Sequence, residues 1–200
     1  MGATSGVFEA AAACRRCAEV APGSAVLGPG NGPVPCDWLF VGEAPGRLGA
    51  ARTGVPFKGD RAGGRFEALL AEAGLMRTEV FVTNAVLCLP LGVAAKNRTP
   101  TTAEIRACAG HLTAVVEVVR PRVVVTMGAV ALAAMGMVAS HGLRLREAAG
   151  QAVPWNGLLL APLYHPGWRA EVHRPWAAQV ADWRALRAPT ANWAATASSP

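Results

Sequence analysis

Two short segments, far apart in the chain, carry side chains that can do chemistry together. Gly42-Glu43-Ala44-Pro45-Gly46 runs on to Arg52-Thr53-Gly54-Val55-Pro56-Phe57-Lys58-Gly59-Asp60, and Tyr164-His165-Pro166-Gly167 follows much later. Each segment leaves an apolar run that reads as a strand, 38–41 and 158–163, and enters a Gly/Pro turn. An acid, an aromatic ring and an imidazole are thereby expected at the carboxyl ends of strands, where open α/β sheets bind ligands. An imidazole there can hydrogen-bond a developing anion, and a carboxylate can orient a water.

A second group is made of sulfur. Cys14-x-x-Cys17 is a chelate pair, 70 residues separate Cys17 from Cys88, and 19 separate Cys88 from Cys108. Soft thiolates select zinc or an iron–sulfur cluster, and four of them satisfy either. Unrelated thiols are the plain alternative. Cys36 is left over, just before a strand, and is expected to be a small buried hydrophobe.

The elements that must position these groups follow from periodicity. Residues 1–36 read as a short helix and then a Gly- and Pro-rich loop. Strands are expected at 38–41, 80–86, 123–126 and 158–163. Residues 61–73 have helical spacing, with Phe66, Leu69 and Leu70 on one face and Gly74 as the stop. Thr101 or Thr102 can cap a helix to about 119, Gly128 opens another to about 138, and 175–186 reads as the last. Residues 140–156 read as a hairpin or irregular. Strands alternating with helices predict a three-layer α/β/α domain around a four-stranded parallel sheet.

The bulk properties agree with a single globular domain over 1–188, followed by a small, polar and frayed tail over 189–200. The chain has 200 residues, of which 52% are hydrophobic and 16% charged, well outside the disordered class. Its longest apolar stretch, 123–138, is short for a membrane span and contains glycine. The first residues lack a basic start, an apolar core and a cleavage site, so a cytoplasmic protein with no membrane partner is expected, with monomer as the default state. The formal charge is +6, and among 19 Lys and Arg residues only Lys58 and Lys96 are lysines. Arg is the better phosphate fork, so a polyanionic partner fits; a codon bias towards Arg and Ala fits as well. Arg15, Arg16, Arg52, Arg98 and Arg169 are the candidate phosphate contacts.

Several ordered stretches resemble one family. They are Gly42 to Gly46, Thr53-Gly54-Val55-Pro56-Phe57, Thr83-Asn84-Ala85-Val86-x-Cys88, Asn97-Arg98-Thr99-Pro100-Thr101 ahead of Cys108, Arg120-Pro121-Arg122-Val123 and Tyr164-His165-Pro166. Over about residues 14–188 the chain is similar to the iron–sulfur uracil-DNA glycosylases of bacteria and archaea, families four and five of that superfamily. Family four carries more acids soon after the first motif, where this chain has Arg47-Leu48-Gly49. The run 49–54 and the ending Gly59-Asp60 look more like family five, but Gly167-Trp168-Arg169 after His-Pro does not. The chain therefore looks intermediate between the two.

The resemblance implies roles. Cys14, Cys17, Cys88 and Cys108 would hold a 4Fe–4S cluster rather than zinc. Phe57 would stack on a uracil taken out of DNA, and Asn84 would read it, accepting from N3–H and donating to O4. His165 would donate to O2 as negative charge develops on the base, with backbone N–H groups near Gly42 helping. Glu43 would orient the attacking water, with Asp60 as the reserve acid. Trp168 or Arg169 would fill the gap left in the stack. His111, His141 and His173 are expected to be ordinary. The implied activity is monofunctional hydrolysis of the uracil N-glycosidic bond in DNA, which opens base-excision repair. Two other readings use the same residues: a low-turnover protein that binds or senses damaged DNA, and an electron-transfer protein using the cluster.

Overall fold

The computed structural model describes residues 2–21, 23–92 and 96–187, so the expected tail at 189–200 lies outside the described residues. In chain order the elements are α1 (Gly2–Ala13), β1 (Trp38–Gly42), α2 (Ala50–Thr53), α3 (Arg61–Glu72), β2 (Val80–Asn84), α4 (Thr102–Val119) and β3 (Val123–Met127). They continue as α5 (Ala129–Val138), α6 (Leu145–Ala148), β4 (Val153–Trp155), β5 (Leu158–Leu163) and α7 (Trp176–Ala185).

The sheet order is β2-β1-β3-β5-β4. The first four of these strands are parallel, and β4 pairs antiparallel with β5 at the edge. The fold class is therefore as expected, with five strands in the sheet among the described residues instead of four. The extra strand has a local cause. Asn156 and Gly157 join β4 to β5, both with positive φ (49° and 76°), which is the two-residue turn that matches the twist of a hairpin. That signal stands in the sequence at the end of the stretch read as hairpin or irregular.

The parallel strands are buried on both faces, which is why their sequences are nearly unbroken apolar runs. One face carries Leu39, Val41, Phe81, Val124 and Leu160 and packs with α4 and α5 through Leu112, Val115, Leu132 and Met135. The other carries Phe40, Val82, Val125 and Leu163 and packs with α3 and α7 through Phe66, Leu69, Leu70 and Trp183. Spacing of three and four residues places the α3 trio on one stripe. Asp60 caps α3, and Thr101 with Glu104 forms a reciprocal capping box at the start of α4. Cys36 is buried, as expected, with its thiol directed at the Trp38 and Glu79 carbonyls.

Candidate active site

Parallel register builds the floor. Gly42, the last residue of β1, stands opposite Asn84, the last residue of β2. A Cβ at Gly42 would lie 2.6 Å from Asn84 Oδ1 and 2.9 Å from Phe57 Cε2, so the amide and the ring both lean over this glycine. Any side chain here would push them out. Asn84 is 3% exposed, and its buried Nδ2 has no hydrogen-bond partner among the described residues. A buried amide donor left unmatched is costly unless a ligand completes it.

Phe57 is held by its backbone as well as its ring. Its φ of 54° is unusual for a bulky residue. Thr53 Oγ1 accepts from the Val55 N–H and lies within hydrogen-bond distance of the Gly49, Val55 and Lys58 carbonyls, which gathers the loop ahead of α3. The Phe57 carbonyl rests on Gly63 of α3, where a Cβ would stand only 2.3 Å from its oxygen. Phe66 stacks against the ring with centroids 4.8 Å apart, and His165 is tilted to it at 5.7 Å. The ring stays half-buried.

His165 lies two residues beyond β5. The Gly167 N–H donates to its Nδ1 at 2.9 Å, so Nδ1 is an acceptor and the ring proton sits on Nε2. Burial pushes the imidazole pKa below its ordinary value, partly opposed by the Asp60 carboxylate. The neutral Nε2–H form is thus the resting state, able to donate without first being charged. Arg65 Nε on α3 donates to the neighbouring Pro166 carbonyl.

Glu43 directly follows β1, and burial raises its pKa above the ordinary carboxylate value, while a hydrogen bond with the Thr99 side chain works against that rise. Asn97 braces the same turn by accepting from the Arg47 N–H at 3.1 Å. Asp60 is spent differently. Oδ1 accepts from the Gly63 N–H as the α3 cap, and Oδ2 packs where a Cβ on Gly49 would stand 2.3 Å away. Its first task is to join the turn at 46–49 to the helix under Phe57.

The fold thus brings Gly42, Glu43, Phe57, Asn84 and His165 to one end of the sheet. Residues 29–187, most of the chain, match the family model described as the uracil DNA glycosylase superfamily. The chain belongs to that superfamily. A Type-4 uracil-DNA glycosylase of Thermotoga maritima is 37% identical over 144 residues, which cover 72% of this chain and 70% of that protein. A Type-4 enzyme of Saccharolobus solfataricus is 34% identical over 69% of this chain and 64% of its own. A Type-5 uracil-DNA glycosylase of Thermus thermophilus is 38% identical over 68% of this chain and 67% of its own. Similar identity to both types agrees with the intermediate motifs.

Beside these strand ends, Trp168 and Arg169 open a 3-10 turn, Trp168–Val172. Trp168 is 58% exposed and the Arg169 guanidinium lies 5.6 Å from its ring, so both are free to meet a ligand. Arg98 is not. Its fork is taken by Glu104 at 2.6 and 2.7 Å, with further bonds to the Leu91, Thr99 and Glu19 carbonyls. This corrects its place among the phosphate contacts: it is a brace. An open groove of about 640 Å³ runs behind the Phe57 loop, but it touches neither Asn84 nor His165.

The cysteines come from three segments: the stretch just after α1 (Cys14 and Cys17), the segment after β2 (Cys88) and α4 (Cys108). Among the described residues, no three His, Cys, Asp or Glu side chains stand close enough to hold a metal ion. The thiols nevertheless influence one another. Burial raises Cys108 to about 11, and Cys88, Cys17 and Cys14 add to the rise, opposed by the Leu87 N–H. The N-terminal segment is tied down beside them by Val20 bridging Pro90, by the Val26 N–H on the Leu87 carbonyl, and by Arg16 on the Ala107 carbonyl.

Sequence reasoning missed Gly63, Arg65, Phe66 and Thr99 as supports of the site. Phe66 was legible as core; Arg65 and Thr99 act on atoms of distant segments, and Gly63 on the Phe57 carbonyl just ahead of its helix, which no spacing rule reveals.

Proposed function

We propose that the chain removes uracil from DNA by hydrolysing its N-glycosidic bond, leaving an abasic site and no strand cut. The observation that carries the reading is the buried, unmatched Asn84 amide donor over Gly42, beside a half-buried aromatic ring. A uracil stacked on Phe57 meets both needs. Its O4 accepts from Asn84 Nδ2, and its N3–H donates to Oδ1. Cytosine presents the opposite pattern and leaves the amide unpaired, which gives discrimination by an unpaid hydrogen bond.

Cleavage of the bond between N1 and the sugar leaves the electron pair, and so negative charge, on the uracil ring. His165 Nε2–H donates to O2 as that charge develops, an interaction stronger in the transition state than before it. Glu43 accepts a hydrogen bond from the water that adds to the sugar carbon, and its negative charge opposes the sugar's positive charge. The water's hydroxyl ends on the sugar and its proton leaves through the carboxylate. Trp168 and Arg169 face the strand from which the base is drawn; unstacking costs a few kcal/mol, roughly what an inserted side chain offsets.

The same reading gives Cys14, Cys17, Cys88 and Cys108 to a 4Fe–4S cluster. The chemistry of the donor set supports this: four sulfurs from three segments, with Cys88 and Cys108 raised first by burial and then by the Cys14 and Cys17 charges. When bound, the cluster would supply a cross-link between the N-terminal segment and α4, with zinc as the other occupant these thiols suit. The protein acts as a monomer on uracil-containing DNA, through the domain that ends near residue 188.

The test is end-labelled DNA with one uracil, single-stranded or opposite G or A, incubated with protein and then alkali. Alkali-dependent cleavage at the uracil, lost in Glu43→Gln, is the expected result. Intact DNA with salt-sensitive binding would instead favour a damage-sensing protein of low turnover.

A further inference from the structure

The peptide between Pro166 and Gly167 is held at both ends of its plane. Its N–H donates to His165 Nδ1 at 2.9 Å, and its carbonyl accepts from Arg65 Nε at 2.5 Å. This bond is trans, so its N–H and C=O point in opposite directions. Arg65 therefore grips the far end of the unit whose near end fixes the imidazole proton.

The grip is itself fixed. Arg65 Nη1 pairs with Glu171 at 2.7 Å, and its guanidinium lies 4.1 Å from the centre of the Trp176 ring. Nη2 is buried and has no partner among the described residues. Every bond of this fork thus runs to the segment that begins at Pro166 and carries the exposed Trp168. Glycine at 167 leaves the peptide plane freer to rotate than any other residue would, so an external hold has something to restrain.

We propose that Arg65 is a positioning residue for His165: by holding the Pro166 carbonyl it keeps the Gly167 N–H on Nδ1 and the ring proton on Nε2, facing the leaving base. A charged donor on the carbonyl also polarises the peptide and strengthens its N–H as a donor. The hydrogen bond at one imidazole nitrogen decides which nitrogen carries the proton. The inference rests on the reading of His165 as the donor to uracil O2.

The experiment is nitrogen-15 NMR of the histidine rings at neutral pH, on protein without DNA, with His165 assigned by its loss in His165→Gln. In the wild type, Nδ1 is expected at the unprotonated position and Nε2 at the protonated one. In Arg65→Met the two shifts are expected to move towards each other, with kcat for uracil release down about 10- to 100-fold and KM within about twofold. Arg65→Lys, which keeps one donor for the Pro166 carbonyl, is expected to restore the wild-type shifts and part of kcat. Wild-type shifts in Arg65→Met overturn the proposal, as does an equal loss of kcat in the Met and Lys variants with unmoved shifts. Should the Met variant not fold, Arg65→Gln is read by the same shifts. Uracil release by the wild type tests the reading of the site separately, so each can fail without the other.

Discussion

At the strand ends, Gly42 and Asn84 are neighbours because parallel register makes them so, and Glu43, Phe57 and His165 lean in from loops that follow strands or precede a helix. In the cysteine region no sheet does this work. The stretch that follows Cys17, at 20–26, is held against the 87–90 segment by a few backbone bonds, and the Arg98–Glu104 pair clamps the loop ahead of α4. The first region borrows its precision from the core and can lose a side chain without losing the fold. The second joins the core through Ala11, Leu87, Ile105 and Cys108, so its side chains help to hold the structure. The electrostatics differ in the same way. Arg98 and the Thr101 N–H hold Glu104 down at about 2, a sign of an acid satisfied by its partners. Glu43 is pushed up by burial, a sign of an acid kept for a purpose other than stability.

The comparison breaks most visibly at Glu43. Glu43→Gln is expected to lower the rate of uracil release by about 10²- to 10⁴-fold, measured under single turnover. It should also raise the melting temperature at pH 7. Folding raises this carboxyl's pKa, so the folded state prefers it protonated: the benefit is full below the unfolded value of about 4.5 and lost as pH rises through the folded value. The gain from Gln should therefore shrink to nothing below pH 4.5. A variant that is both inactive and less stable at pH 7 would show that Glu43 is structural.

His165→Gln comes next, with an expected loss of about 10²- to 10³-fold in kcat and little change in melting temperature. Equal activity would remove His165 from the chemistry. Gly63→Ala should act more mildly. Its methyl meets the Phe57 carbonyl, so the ring shifts, and KM for uracil-DNA should rise about tenfold, roughly one stacking contact. Crystallography of the variant would show whether Phe57 has moved. The smallest effect on chemistry is expected from the other region. If the proposed cluster is bound, Cys88→Ser should lose it and several degrees of melting temperature, while molecules still folded at 25 °C release uracil at close to the wild-type rate. A rate loss without a stability loss would join the two regions that the comparison separates.

How much of this was legible depended on where the information sits. Strands at 38–42, 80–84, 123–127 and 158–163 lie close to the apolar runs, because strands buried on both faces leave no alternation to misread. Gly42, Asn84 and His165 were legible because each ends or follows such a run. Arg65 and Gly63 were not, because each serves a carbonyl, of Pro166 and of Phe57, and a sequence does not display which carbonyl a residue will meet. Arg98 serves as a brace for a similar reason: the sequence displays its charge, but not that the capping box brings Glu104 to it. Asn156-Gly157 could have given the fifth strand, since few other pairs accept positive φ at both positions.

The most direct measurement is the single-turnover rate of uracil release by the wild type and by Asn84→Ala, each with its melting curve. Release by the wild type, with a loss of about 10²-fold or more in Asn84→Ala at nearly unchanged melting temperature, is the predicted result. No release by the wild type, or an equal rate in the variant, would contradict the assignment of the strand-end site.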